Sequence, residues 1–573
     1  MALLGVGIPA AAGERGRGVR TPSSVRFTTS PDCGGSADGS PCLEASGEFA
    51  PLQTDEVETL ARNAAAALSD PHMTIAVVDR AGRVLALARK PEADPANDDL
   101  AVGLARTAAF FSHDMAPLSS RTVRFISGVH FPPGVRDAPT APLYGIENTN
   151  RGCDLNVTFN PGKCVPRATS LNALPCNAFD ARGCGTGPVT GKVQPYDSHD
   201  GGKHPSWLGL EGPGNPKGLP VNAGGIPIYR VSDVRVTGGS LENGTANVHA
   251  EGPGHLVGGI GVAGVPSSQA EFAAFSSVAL SSSHLFPAPS FPLPSPGRVF
   301  IGGVRVPFVE QGIRPTGTEA GSAVDATFIV GPQTGGCVAN RYLVGPAAGS
   351  ALSRDEVDRI IHQAFDAAER TRAAIRLPLG SYARMVFAVS DLDGSILALY
   401  RMPDATVFSI DVAVAKSRNV IYFSSADVSA DLPGLPSGTA VSNRTISFGA
   451  QPLFPAGIDG TTPGPFFGLF QHDLGNVCSQ GTQLANANQN GVVFFPGSIP
   501  LYRDGHLVGG LGVSGDGVEQ DDYVSYHGAV GFHPAMSIWS DQHEIRGVRI
   551  PFLKFPRHPE DVTEQTKETF DAP

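Results

Sequence analysis

Histidines are the residues of this chain best suited to bind a metal ion, because a neutral imidazole is a common ligand of iron and zinc. His255 and His506 lie at equivalent positions of two similar stretches, each directly before the sequence Leu-Val-Gly-Gly. His113 follows a predicted helix, and His130 precedes the segment Phe-Pro-Pro-Gly. These four histidines are the candidate metal ligands, and a solvated or structural histidine is the alternative at each position.

Other histidines lie in loop-like or late parts of the chain. His199, Asp200 and His204 stand close together in polar, glycine-containing sequence. They form either a carboxylate-assisted metal cluster or an ordinary polar loop. His527 and His533 lie beyond the last glycine-rich block and are expected to be surface groups.

Two glycine strings of the type Gly-x-Gly-x-x-Gly, at 259–264 and 510–515, are similar to the fingerprint of dinucleotide-binding sites. That fingerprint opens a helix within a βαβ unit, whereas these glycines lie inside predicted strands. We therefore expect no nucleotide cofactor and attribute the glycines to a bend and close backbone approach. Ser514 is not expected to be a nucleophile, since Ala263 stands at its equivalent position.

These groups are carried by a sequence unit that occurs twice. Residues 73–89 return as residues 385–401, and later blocks repeat in the same order. Collinear blocks separated by unequal insertions indicate a duplicated domain. The predicted organisation is an N-terminal segment at 1–51, a first domain at 52–309, a linker at 310–351, a second domain at 352–556 and a tail at 557–573.

Each repeat is predicted to open with a helix, capped by Thr54 in the first and by Ser353 in the second. A β-hairpin with a glycine in its turn follows. A second helix begins at Asp98 or Ser409 and carries small residues every four positions, which lets it lie close on a sheet. Short β-branched strands complete each repeat, after long Gly- and Pro-rich segments of the kind that are usually functional.

Composition excludes several classes of protein. A hydrophobic content of 41% with 17% charged residues is typical of a globular chain. The net charge of −12 is spread without a Lys/Arg stripe, so we expect no nucleic-acid partner. No run of about 18 apolar residues occurs, so we expect no transmembrane helix.

The eight cysteines suggest disulfides, with Cys33 paired to Cys42 and further pairing within the group from Cys153 to Cys184. Buried reduced thiols in a cytosolic protein are the alternative. No Cys-x-x-Cys pair occurs, which argues against structural zinc and covalently attached c-type haem. Residues 1–14 have the apolar stretch of a signal peptide without its basic start. We predict a secreted or periplasmic protein.

The repeated blocks resemble the GlcG/HbpS family, also called the haem-degrading or DUF336 domain and related to the C-terminal domain of PduO-type proteins. The second repeat carries Lys416 and Arg418 on its second helix, as the family pattern has, and Gly-Ser-Ile-Pro at 497–500 where that pattern has Gly-Gly-x-Pro. The first repeat keeps Arg106 but has Leu104 in place of the family lysine.

The resemblance implies a profilin-like α+β domain, an antiparallel sheet of about five strands with packed helices, usually in homo-oligomers. Two fused copies would mimic a dimer. It also implies haem or tetrapyrrole binding between the sheet, the second helix and the Gly-Gly-x-Pro loop. The residues expected there are Arg106, Thr107, Gly224, Gly225, Pro227, Lys416, Arg418, Gly497, Pro500 and Ser514.

The predicted function is haem binding outside the cytoplasm, in sequestration or sensing, with arginines holding the acid groups of a small planar ligand. Ion pairing of Arg106 to Asp79, or of Arg418 to Asp391, is the structural alternative. A haem-degrading or small-molecule oxidoreductase activity, with its site in the second repeat, is a second possibility. A structural pseudo-dimer that serves assembly is a third. No catalytic residue is predicted.

Overall fold

The computed structural model describes residues 50–151, 153, 219–240, 245–281, 284–291, 297–336, 341–425, 430–476, 478–484, 486 and 488–563. Several predictions fall outside these residues: the His199 and His204 cluster, the Cys33 to Cys42 pair, and the N-terminal segment. We call residues 52–309 the first copy and residues 352–556 the second copy.

Each copy contains helices that pack against its sheet. In the first copy they are α1 (Thr54–Ala67), α2 (Asp98–Phe111), α3 (Ser120–Phe125) and α4 (Ser267–Ala279). In the second copy they are α5 (Arg354–Ala368), α6 (Phe408–Phe423), α7 (Asn443–Gly449), α8 (Phe467–Gly475) and α9 (Val518–Gly528).

The caps of the opening helices agree with the sequence in one copy and differ by one residue in the other. Ser353 caps α5, accepting a hydrogen bond from the backbone of Glu356, as predicted. Thr54 is the first helical residue of α1, and Gln53 takes the cap position instead. Gln53 also forms a capping box with Glu56, which satisfies the same free backbone groups.

The strands of the first copy are β1 (Thr74–Asp79), β2 (Val84–Arg89), β3 (Gly225–Ser240), β4 (Thr245–Ala263), β5 (Leu285–Phe286), β6 (Phe300–Ile301) and β7 (Val304–Arg305). β8 (Thr327–Val330) and β9 (Arg341–Val344) lie between the copies. The strands of the second copy are β10 (Val386–Ser390), β11 (Ile396–Arg401), β12 (Ser498–Arg503), β13 (His506–Ser514), β14 (Glu544–Ile545) and β15 (Val548–Arg549).

The two main sheets share one topology. Their orders are β5-β3-β4-β1-β2-β8 and β12-β13-β10-β11-β9, and the paired strands are antiparallel. Register is conserved between the copies, with Thr74 opposite Ala263 and Val386 opposite Ser514. This confirms the α+β class with antiparallel sheets and shows that the repeated sequences fold alike.

The segment predicted to be a linker contributes one edge strand to each sheet. β8 pairs with β2, and β9 pairs with β11. Pairing of this kind satisfies backbone groups that an unpaired sheet edge would expose. The connection is therefore part of both sheets.

Each sheet is covered on both faces. The second helices α2 and α6 pack on β4 and β13, while the pairs α1 with α4 and α5 with α9 form the other layer. One apolar core extends from α2 of the first copy into the second copy, and Phe111 stacks on Phe408 within it with ring centroids 4.0 Å apart. Within the described residues, no helix combines the length and apolar character that crossing a membrane requires.

Candidate functional site

The second helix of each copy lies directly on a glycine-lined strand. A Cβ added to Gly261 would come 2.1 Å from the carbonyl oxygen of Ala101, and one added to Gly512 would come 2.0 Å from that of Ala413. Real side chains do not approach a backbone so closely, so glycine is required at these positions. The glycine strings therefore serve helix packing, as their sequence context predicted.

The two predicted arginines close the hairpin turns. Arg106 Nε donates to the carbonyl oxygen of Gly82 at 2.7 Å, and Arg418 Nε donates to that of Gly394 at 2.8 Å. Both side chains are almost fully buried. The carboxylates named as alternative partners are used elsewhere: Asp79 pairs with Arg83, and Asp391 accepts two hydrogen bonds from Ser350.

In the second copy, Lys416 forms a buried ion pair with Asp521. Its Nζ donates to Asp521 Oδ2 at 3.0 Å and to the carbonyl oxygen of Val513 at 2.8 Å, and it lies over the ring of Phe495. Burial raises the pKa of Asp521 to about 7, against the opposing effect of Lys416. Burial likewise lowers the pKa of Lys416. Two ionisable groups are thus buried close together, where desolvation disfavours the charged form of each.

The corresponding place in the first copy is apolar. A Cβ on Gly497 would meet Asp521 and Lys416 at 2.6 Å each, whereas a Cβ on Gly224 would meet Ala270 and Leu104. Leu104 and Ala270 therefore replace the lysine and the aspartate.

The ten residues expected to hold a ligand form two groups, one in each copy. All ten are buried, so neither group lines an open cleft. Thr107 Oγ1 donates to the carbonyl oxygen of Pro220, and Ser514 Oγ bonds to Ser409 Oγ at 3.0 Å. A Cβ on Gly225 would come 2.2 Å from the carbonyl oxygen of Leu104. A macrocycle does not fit between the second helix and the sheet, and it could reach these residues only if the helix left the sheet.

The candidate histidines have four different environments. His113 is fully buried, and neither ring nitrogen has a hydrogen-bond partner among the described residues. His130 bonds Asp459 Oδ1 at 2.7 Å and the carbonyl oxygen of Ala138. His255 bonds Asp114, whereas its equivalent His506 is exposed. The described part of the chain contains no group of three or more His, Cys, Asp or Glu side chains placed to hold a metal.

His113 lies at a buried charge network that joins the copies. Arg80 of the first copy donates to Asp404 Oδ1 at 2.7 Å, and Arg376 donates to Asp404 Oδ2 at 2.6 Å and also to Asp516. Burial alone would raise the pKa of Asp404, but Arg376 and Arg80 outweigh it and hold this pKa well below its usual value. The carboxylate therefore stays charged as the centre of the network.

The network leaves His113 neutral. Its Nε2 is 4.0 Å from Asp516 Oδ1, too far for a hydrogen bond. Burial, followed by the charge of Arg376, lowers the pKa of His113 well below its usual value. An imidazole in this state binds no proton at neutral pH, and its nitrogens contact no acid group closely.

A second set of polar contacts joins residues 150–153 to the second copy. Arg151 Nη2 donates to both carboxylate oxygens of Asp473, at 2.8 and 2.7 Å, and the backbone N–H of Asn150 donates to Asp411. Cys153 forms a disulfide with Cys478, across a sequence separation of 325 residues. Cys153 therefore pairs outside the group from Cys153 to Cys184, because the fold brings its loop against the second copy. Cys164, Cys176 and Cys184 lie outside the described residues, so pairing among them stays a prediction.

Sequence reasoning missed the residues of this junction. Arg376 and Asp404 lie outside the repeated blocks, and Arg80 lies within one, at a position where the two copies differ. Asp404 accepts a hydrogen bond from the backbone N–H of Asp114 across 290 residues of sequence. One signal was available: Arg80 stands where the second copy has Leu392, so a charged residue replaces an apolar one within otherwise similar hairpins.

Comparison with known proteins identifies relatives of both copies. A family model described as "Haem degrading protein HbpS-like" matches residues 52–162 and 352–529, which together make up about half of the chain. The corrinoid adenosyltransferase PduO of Salmonella typhimurium is 28% identical over 159 residues, covering 27% of this chain and 34% of PduO. The PduO of Citrobacter freundii is 27% identical over 154 residues, covering 26% and 33%. This chain thus spans about a third of the length of the curated relatives that it matches.

Two solved structures each match about a third of this chain. The crystal structure of a PduOC:heme complex is 25% identical, covers 32% of this chain and 95% of its own, and has a TM-score of 0.21. A double mutant of Streptomyces reticuli HbpS is 20% identical, covers 32% and 88%, and has a TM-score of 0.19.

Proposed function

This chain belongs to the HbpS-like family, and on that basis we propose that it binds haem or a related tetrapyrrole, in sequestration or sensing. The supporting observation is that the family match recurs in both copies. Each copy would be a profilin-like domain. Burial of an apolar macrocycle face would supply most of the affinity, and cationic side chains would hold its acid groups.

The packing of α2 and α6 restricts where such a ligand binds. Between helix and sheet the glycine strand leaves no space, so the ligand would lie on an outer surface. There an exposed histidine or tyrosine could supply an iron ligand, as these residues do in haem proteins generally.

A location outside the cytoplasm is part of the proposal. The disulfide between Cys153 and Cys478 supports it, because disulfides persist in oxidising compartments and are rare in the cytosol.

A haem-degrading activity is the second candidate, favoured by the description of the family. Its site would be in the second copy, where the lysine of the family pattern is kept as Lys416. Bound haem would then lose its Soret absorbance under turnover conditions with a reductant and oxygen. Stable absorbance in the wild type would exclude degradation and leave binding.

The experiment that tests haem binding is a haemin titration of the full chain. We expect a Soret shift that saturates at one or two equivalents. Titration with protoporphyrin IX, which lacks iron, separates binding of the flat macrocycle from ligation of the metal. Absence of any saturable change with either compound would refute the proposal.

A further inference from the structure

The outer side of α9 carries a contiguous group of aromatic rings. We call Tyr523, Tyr526, His527, His533 and Phe555 the aromatic face. Tyr526 stacks on His533 with centroids 4.2 Å apart, and Tyr523 lies 4.3 Å from His527. Phe555 lies 5.5 Å from Tyr523 and 5.4 Å from Tyr526. The five rings therefore form one surface.

This surface is open to solvent. Phe555 is 42% exposed, and Tyr523, Tyr526 and His527 are partly exposed. A single exposed apolar side chain is common, but a contiguous exposed aromatic group marks a binding surface. Tyr526 and His533 are nearly parallel, at 12°, whereas Tyr523 and Phe555 are perpendicular, at 89°. A flat apolar molecule would therefore contact some of these rings by their faces and others by their edges.

His527 is available as a ligand. Among the described residues its ring contacts Tyr523 and Tyr526 but has no hydrogen-bond partner. Burial, and then the nearby Arg370, lower its pKa, so the imidazole is neutral at physiological pH. His533 differs, because its Nε2 bonds the carbonyl oxygen of Tyr526 at 2.7 Å. His527 is therefore the histidine of the face with no hydrogen bond to its ring, and an imidazole nitrogen of this kind can bind iron.

Cationic side chains surround the aromatic face. Arg370 is exposed and acts electrostatically on both His527 and Tyr523. Lys554 is exposed beside Phe555, although it pairs with Glu519, and Arg557 is also exposed. Glu560 accepts a hydrogen bond from Tyr523. The cations complement the two carboxylates that a haem carries.

The equivalent positions of the first copy do not form such a surface. By the register of β4 and β13, the counterparts of Tyr523, Tyr526 and His527 are Phe272, Phe275 and Ser276. Phe272 is 1% exposed, with the guanidinium of Arg314 over its ring, and Phe275 packs on Phe291. Among the described residues, the aromatic face is therefore a feature of the second copy.

We propose that the aromatic face of the second copy is the haem site of this chain, which rests on the haem-binding function proposed above. His527 would supply an iron ligand, and Arg370, Lys554 and Arg557 would face the acid groups. One haem would bind per chain.

Haemin titration of three full-length proteins tests this site: wild type, His527→Ala and the control His472→Ala. His472 is an exposed histidine on α8, away from the aromatic face in sequence. We expect His527→Ala to shift the Soret maximum and to weaken haemin binding by about tenfold or more, while His472→Ala matches the wild type. Circular dichroism should show equal folding, because His527 is partly exposed.

A second variant tests how much the aromatic rings contribute to binding of a macrocycle that contains no iron. Phe555→Ala should weaken binding of protoporphyrin IX, whereas His527→Ala should leave it close to wild type. Haem binding that is equal in wild type, His527→Ala and Phe555→Ala would overturn the aromatic face while the binding function stood. Failure of the wild type to bind either compound would instead overturn the function and the site with it.

Discussion

The two copies share a scaffold and differ in the residues placed on it. Strand register, the glycine-lined packing of the second helix and the arginine at the hairpin turn are the same in both. The copies differ in their chemistry. The second copy has the buried pair Lys416 and Asp521 where the first has Leu104 and Ala270. The aromatic rings of the second copy are exposed, whereas those at the equivalent positions of the first are covered. The repeated sequences therefore pack in the same way, and the two copies differ in their ionisable and exposed side chains.

The junction is likewise unequal. Arg80 reaches Asp404 from the first copy, whereas its counterpart in the second copy, Leu392, is 41% exposed. The counterpart of Asp404 is Glu92, which is exposed. Among the described residues, the charge network thus has no equivalent at the matching positions, and the contact between the copies is asymmetric.

The largest effect is expected at this junction. Arg80→Leu places in the first hairpin the residue that the second hairpin has at Leu392. Asp404 then stays buried with Arg376 but without Arg80. Removing one member of a buried ion pair costs about 3 to 5 kcal/mol. Urea unfolding measures the loss, and Leu392→Arg, in the exposed equivalent turn, is the matched control that should change little. Equal stability of Arg80→Leu and wild type would show that the network does not hold the copies together.

An intermediate effect is expected at the ion pair of the second copy. Lys416→Leu alone leaves Asp521 without its charged partner and should cost about 2 kcal/mol. The double variant Lys416→Leu, Asp521→Ala recreates the residues of the first copy and should recover most of that loss, since apolar replacements of buried pairs are often neutral. Thermal unfolding measures both. A double variant that is less stable than the single one would mean that the copies pack differently here.

The smallest effect concerns pH and His113. Its pKa in the folded protein lies well below that of an unfolded histidine, about 6.5, so the unfolded chain binds the extra proton below that pH. The stabilisation by neutral His113 is complete above pH of about 6.5 and is lost as the pH falls, by up to about 1.4 kcal/mol per unit. His113→Leu should remove this slope, measured by urea unfolding from about pH 8 to about pH 5. The control His472→Leu should retain it, and an unchanged slope in His113→Leu would assign the effect to another group.

Local features of the fold were predictable because they depend on neighbouring residues. The hairpin glycines, the cap at Ser353 and the small residues of the second helices lie within a few positions of the groups that they serve. The edge strands β8 and β9 were missed, since short exposed strands carry little alternation and their partners lie far along the chain.

The sequence by itself determined the duplication, the α+β class, the family and the close packing of helix on sheet, because each depends on motifs or periodicity. The tertiary structure alone decided three things: the burial of the expected ligand-binding residues, the partner of Cys153, and the charge network around Asp404. Each of these depends on contacts across about 30 to 325 residues. Neither spacing nor composition specifies such contacts, because the packing of whole elements sets which distant side chains meet.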